Sequence, residues 1–298
     1  MNAAQPADPA ANTSRTPVGI DFTRPTIARI YNAFLGGGHN YGVDRMVCHK
    51  LRERVPEIAD LFRSEVEFLH RAVRWIGTQF PIEQWVIAVA GPAPEGRDQI
   101  HDVIREVNSD AGVWYVDYEP VPLATFRTFD DMRGGRRVHV VKADPLDPDT
   151  TWDELTQLDQ GHTPVDDREP ICLVLGGVLP YHPFSRADIA AVTRQHLNHL
   201  PHGSFFVLTH LLDPEEPELT AVAVEIQNTL VGGPLGAGSL ATRDEIEAMV
   251  SGATILAPSA GTPPSVVPAR QWWAGPPLKP SSLPEQLVAG VVAAIPGD

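Results

Sequence analysis

The chain has 298 residues, 43% hydrophobic and 20% charged, enough for one large core or two small ones. A formal net charge of −15 and a pI near 5.1 would repel a polyphosphate backbone, and no Lys/Arg block offsets it, so nucleic acid is excluded as a partner. No stretch approaches the roughly 18 apolar residues of a membrane span, and Cys48 and Cys172 fall in segments that read as a helix and a buried strand. The expectation is a soluble, cytoplasmic protein with reduced core thiols.

The opening "MNAAQPADPAANTSRTP" has neither a basic nor an apolar leader region, so residues 1–17 read as a disordered tail. "RPTIARIYNAFLGGGHNYGVDR" (24–45) then sets Ile27, Ile30, Tyr31, Phe34 and Leu35 on one helical face and stops it with Gly36, Gly37 and Gly38. Asn40 and Asp44 follow on backbone that can approach a ligand closely, or simply turn toward the next helix. "SEVEFLHRAVRWIGTQF" carries a stripe of Val66, Leu69, Val73, Ile76 and Phe80, with Ser64 and Glu67 at capping-box spacing.

From there apolar runs read as strands buried on both faces: 85–90, 113–117, 138–144, 171–177 and 204–210. Amphipathic stretches lie between or after them, marked by Ile100, Val103, Ile104 and Val107, by Ile189, Val192, His196 and Leu200, and by Leu219, Val222, Ala223, Ile226 and Leu230. This alternation predicts a doubly wound α/β domain with a mostly parallel sheet over 18–274. Residues 18–80 form its helical N-terminal segment and 81–274 its core. Residues 275–298, Pro-rich and then weakly helical, read as a surface appendage.

In such sheets ligands sit beyond the carboxyl ends of the strands. Gly91 in "VIAVAGPAPEGRDQI" opens a turn into a helix over 97–107 whose N–H groups could receive a polar ligand. Asp117, with Glu119 near it, is placed to accept ribose hydroxyls, and Asp144, before Pro145, to meet an adenine amine. Each aspartate could equally be a turn residue. "GAGSLA" (236–241) has a dinucleotide-like spacing, but no strand precedes it and Thr242 with Glu245 caps the next helix, so it reads as a mobile loop. His196, His199 and His202 have metal-like spacing, yet one lies on an apolar stripe and two near a helix end, so no metal site is expected. Serine-hydrolase, P-loop and zincin motifs are missing from the sequence.

Residues 24–45 closely resemble the signature R-P-x-x-A-R-x-Y-x-x-x-L-G-G-x-x-N-x-x-x-D-R of a largely actinobacterial family of S-adenosylmethionine-dependent methyltransferases, long known as a domain of unknown function. The likeness continues through "WYVDYEPVPLA", "VKADPLDP", "VLPYHP" and "LPHGSFFVLTH" to "RQWW". It implies a Rossmann-like methyltransferase fold with an N-terminal helical lid, binding S-adenosylmethionine and releasing S-adenosylhomocysteine. On this resemblance Asp117 would hold the ribose, Tyr118 would lie beside the adenine and Asp144 near its amine. Tyr31, Asn40 and Asp44 would contribute lid contacts, with Gly91, Pro145 and Gly176 completing the cofactor set.

The sequence departs from the family where relatives carry D-x-G-x-G-L-P-T: Val89 takes the place of the acid and Ala93 that of the second glycine. Losing a charged hydrogen bond of about 1.5–3 kcal/mol would weaken cofactor binding roughly 10- to 150-fold unless Glu95 or Asp98 substitutes. Tyr181, His182 and His210, just beyond strand ends, are the candidate catalytic groups. The expected function is methyl transfer to a small molecule of secondary metabolism. The alternative is a repurposed member of the fold acting as a ligand-binding or regulatory subunit.

Overall fold

The computed structural model describes residues 19–94, 96–132, 137–158, 162–231, 235, 238–273 and 282–297. Helices α1 (Ile27–Phe34), α2 (Gly42–Arg54) and α3 (Ala59–Gln79) precede an alternating series. It runs β1 (Gln84–Val89), α4 (Ile100–Val107), β2 (Gly112–Asp117), α5 (Pro120–Met132), β3 (Val138–Lys142), α6 (Pro148–Thr156), β4 (Ile171–Gly176), α7 (Arg186–Asn198) and β5 (Phe205–Leu211). Then come α8 (Pro217–Ile226), α9 (Arg243–Met249), the short β6 (Thr254–Ile255) and β7 (Val267–Pro268), and β8 (Val288–Ala294). The sheet order is β3-β2-β1-β4-β5-β8-β6, with β7 also on β8. Strands β1 to β5 are parallel and β8 is antiparallel to β5.

The run-through apolar strands are explained by two separate cores, since successive side chains point to opposite faces. Trp85, Ile87, Val113, Tyr115, Val174 and Val207 pack with α3 and α4. Val86, Ala88, Trp114, Leu173, Leu175 and Leu208 pack with α6, α7 and α9 through residues such as Trp152, Ile189 and Met249. All five predicted strands form, within a residue or two of their expected bounds.

Several expectations are corrected. Residues 288–294 are not a surface appendage but an inner strand, because "VAGVVAA" is small and β-branched enough to be buried on both faces against β5. At Gly290 a Cβ would come within 2.6 Å of the Phe68 ring, so the helix face of α3 needs that glycine. Helix α3 begins at Ala59, so Ser64 lies inside it, buried, and caps nothing. Gly236 and Ala237 lie outside the described residues, while Ser239 and Ala241 of the same segment are tied to Pro180 and Leu211 by backbone hydrogen bonds. The predicted tail, residues 1–17, also lies outside the described residues. Thr242 and Glu245 do form the expected capping box of α9.

Candidate functional site

Strand β1 has β2 on one side and β4 on the other, so the chain order reverses there and a crevice opens beyond the carboxyl ends of β1 and β4. Helix α1 lies over it. A Cβ on Gly91 would come within 3.1 Å of Ala28 Cβ, and one on Gly177 within 2.7 Å of the Tyr31 hydroxyl. Both glycines have positive φ, +84° and +66°, so turn geometry and the close approach of α1 demand glycine together.

The signature residues fasten that helix. Arg29 Nε donates to Asp44 Oδ1 at 3.1 Å, and both side chains are buried. The same carboxylate accepts from the Thr26 amide at 3.2 Å and, through Oδ2, from the Tyr41 amide at 2.8 Å. Asn40 Nδ2 donates to Asn32 Oδ1 and the Gly37 carbonyl, while Arg45 donates to the Asn40 carbonyl and side chain. Asn40 and Asp44, expected as lid contacts, therefore spend their side chains on building the α1–α2 elbow.

The loop after β1 also satisfies itself. The Ala90 amide donates to the Gly176 carbonyl and the Gly91 amide closes a tight turn on the Val89 carbonyl. Ala93 exchanges two hydrogen bonds with the Gln99 side chain, and Pro92 and Pro94 have no N–H to give. Helix α4 starts at Ile100 rather than 97, and Asp102 accepts from the Gln99 amide while the Tyr115 hydroxyl accepts from that of His101. Its N-terminus is therefore not the open donor set expected from the sequence. Glu95 lies outside the described residues, and Asp98 is exposed.

Beneath α1 a pocket is walled by Tyr31, Leu69, Val89, Gly91, Tyr115 and Gly176, with Glu65 reaching into it from α3. Glu65 is 2% exposed. Its carboxylate accepts from the Tyr31 and Thr209 hydroxyls, and the Gly177 amide, which donates to Thr209 Oγ1 at 2.8 Å, also faces it. Burial raises its pKa against the pull of these donors. Sequence reading missed Glu65. The signal was there: it falls among Leu61, Phe62, Phe68, Leu69 and Ala72, an acid in the middle of a buried helix face.

At the other end of the crevice, Asp117 finishes β2 and is 9% exposed. One oxygen accepts from the Glu119 amide at 2.8 Å. Burial, with the nearby Glu119 and Asp144 charges, pushes its pKa up to about 7. Tyr118 beside it is 43% exposed. Glu119 is also raised, chiefly by burial, while Thr26 and Arg29 of the N-terminal segment act to hold it down. Asp144 is exposed, and its Oδ1 accepts from the Leu146 amide at 2.9 Å. Pro145 is buried, its carbonyl meeting His196 Nε2 at 2.7 Å. His196 also accepts from Trp152 Nε1 at 3.1 Å, so it is a tie between α6 and α7.

Of the three catalytic candidates, Tyr181 is buried against Tyr31, with ring centroids 6.3 Å apart, and burial raises its pKa far above the usual phenol. His210 is fully buried on β5; its Nδ1 lies 2.8 Å from the Leu211 carbonyl, which makes Nδ1 the protonated nitrogen and leaves Nε2 without a partner. Burial lowers its pKa to about 4. His182 is half-buried, stacks near Phe184 and feels the Asp144 charge. It alone of the three is partly exposed.

The profile of a family described as S-adenosyl methyltransferase matches residues 13–296. A protein from Thermobifida fusca YX, described as a methyltransferase, superposes with a TM-score of 0.79 at 26% identity, over 96% of this chain and 100% of that one. A DUF574 family protein from Streptomyces avermitilis MA-4680 gives 0.76 at 22% identity, over 93% and 99% of the two chains. No curated protein matches the chain. With the sheet order, the crevice at the β1/β4 reversal and a profile spanning nearly the whole length, the chain belongs to the S-adenosyl methyltransferase family, whose cofactor is S-adenosylmethionine.

Proposed function

We propose that this protein binds S-adenosylmethionine across the carboxyl ends of β2, β1 and β4 and transfers its methyl group to a small molecule of secondary metabolism in the cytoplasm. The observation that carries the reading is the buried Asp117 carboxyl beside the exposed Tyr118 ring. Its donor chemistry fits an adenosyl group: with one oxygen on the Glu119 amide, the other can accept ribose hydroxyls, and Tyr118 offers a stacking face. Gly91 and Gly176 line the adjoining pocket, and Asp144 stands where an exocyclic amine could donate. The bound cofactor supplies a methyl group on a sulfonium, already activated for transfer.

The chain's own part is to bind, orient and deprotonate. His182 is the base we assign. Burial lowers its pKa, so the imidazole is neutral at physiological pH and can accept a proton from the acceptor's oxygen or nitrogen. His210 and Tyr181, both enclosed, would act by shaping the wall behind it. A net charge of −15 favours a small acceptor over nucleic acid.

Titration calorimetry with S-adenosylmethionine and S-adenosylhomocysteine tests the reading. Micromolar binding of either supports it; no heat up to millimolar ligand, from folded protein, refutes it. His182→Ala should lower turnover by about 10²-fold or more without loss of cofactor affinity. A second reading, a repurposed ligand-binding or regulatory subunit, is favoured by the self-satisfied loop 90–94. Tight cofactor binding with no methyl transfer to any acceptor would select it.

A further inference from the structure

We infer that Glu65 is the group that receives the α-ammonium of the cofactor's aminoacyl end, an assignment that rests on the cofactor reading above.

That end of S-adenosylmethionine is a zwitterion, and an ammonium taken out of water needs an anionic or strongly accepting partner. Residues 89–94 of the loop after β1, Val89, Ala90, Gly91, Pro92, Ala93 and Pro94, carry no acid, and Asp98 beyond them is exposed. Among the described residues lining the pocket under α1, Glu65 is the one carboxylate. Its place suits the ligand's length. A ligand whose ribose rests on Asp117 at the end of β2 crosses β1 and reaches β4, about 10 Å away at the usual strand spacing. Glu65 sits there, against Gly177 just beyond β4 and Thr209 on β5.

A purely structural role does not account for the charge. Tyr31 and Thr209 donate to the two carboxylate oxygens, and this staple holds α1 over the sheet. A glutamine could accept from one hydroxyl and donate to the other oxygen without burying a charge. The two hydroxyls take two of about four acceptor positions on a carboxylate, which leaves room for an incoming N–H. Arg97, in the depression that adjoins the pocket at Val66, His70 and Ala93, stands on the outer side, where the ligand's own carboxylate would lie.

The test compares S-adenosylhomocysteine with its des-amino analogue, hydrogen replacing the α-amino group, on the full chain and on Glu65→Gln. A hydrogen bond between charged groups predicts that the wild type prefers the amine by roughly 10- to 150-fold. Glu65→Gln should erase most of that preference while binding the des-amino analogue as the wild type does. Equal binding of both ligands by the wild type overturns the assignment and leaves the cofactor reading standing, as does a preference that survives in Glu65→Gln. Binding of neither ligand by folded wild type overturns both. Circular dichroism checks the variant; if it does not fold, a crystal structure of the wild type with S-adenosylhomocysteine decides. An amine nitrogen at about 3 Å from a Glu65 oxygen supports the assignment, and an amine placed elsewhere overturns it.

Discussion

Replacing Asp117 by Asn should stabilise the cofactor-free protein, and increasingly so as the pH rises. In the native chain this carboxyl holds its proton up to about 7, whereas an ordinary aspartate releases it near 3.8. Between those values the native state binds more protons than the unfolded state, so stability is fullest below about 3.8 and declines as pH rises through about 7. At 1.36 kcal/mol per pH interval, the loss is about 1.6 kcal/mol at pH ~5 and about 4 kcal/mol at pH ~8.5. Asn keeps the acceptor for the Glu119 amide, so the variant should lack this loss, and its advantage should widen by about 2–3 kcal/mol between the two conditions. Urea unfolding of both proteins at each pH measures it. A gap that stays constant would mean that Asp117 is not a desolvated acid. The same variant should bind the cofactor more weakly, since a charged acceptor is lost where ribose hydroxyls would donate. Stability and binding then move in opposite directions at one residue, as expected where a site is preorganised for a ligand.

Asp44→Ala would leave the 2%-exposed Arg29 guanidinium without its carboxylate and free the Thr26 and Tyr41 amides. A loss of about 3–5 kcal/mol is expected, read by thermal melting, with earlier proteolytic cutting around α1. His210→Leu removes a buried imidazole held at about 4 with an unpartnered Nε2. Unfolded histidine binds a proton below about 6.5 that native His210 refuses, so the wild type loses stability as pH falls from about 6.5 toward 4. Relative to the wild type, the leucine variant should gain about 2–3 kcal/mol between pH ~7 and ~4.5, and a pH-independent difference would refute the assignment of a neutral, enclosed ring.

Local periodicity carried much of this protein's description. Strands such as "WVIAVA" and "ICLVLG" are apolar at every position because both sheet faces are covered, and that pattern is written in consecutive residues. The place of Asp117, Tyr118 and Asp144 at the carboxyl ends of β2 and β3 was legible for the same reason: a parallel sheet puts the residues after each strand at one edge. The segment "VAGVVAA" gave no such answer. Small and β-branched residues suit a buried helix or an inner strand alike, and only its antiparallel register from Phe205↔Ala294 to Leu211↔Val288 decides. Asn40 and Asp44 were expected as lid contacts, and only packing shows Asp44 bonded to Arg29 and Asn40 to Asn32 and Arg45.

Sequence pattern was enough for the fold class, the family and the strand ends that border the crevice. Tertiary structure alone decided that Glu65, Gly177 and Thr209, far apart in the chain, meet under Tyr31. The physical reason is that periodicity reports which face of an element is buried, whereas a binding site is set by which buried faces converge, through contacts that no local pattern encodes.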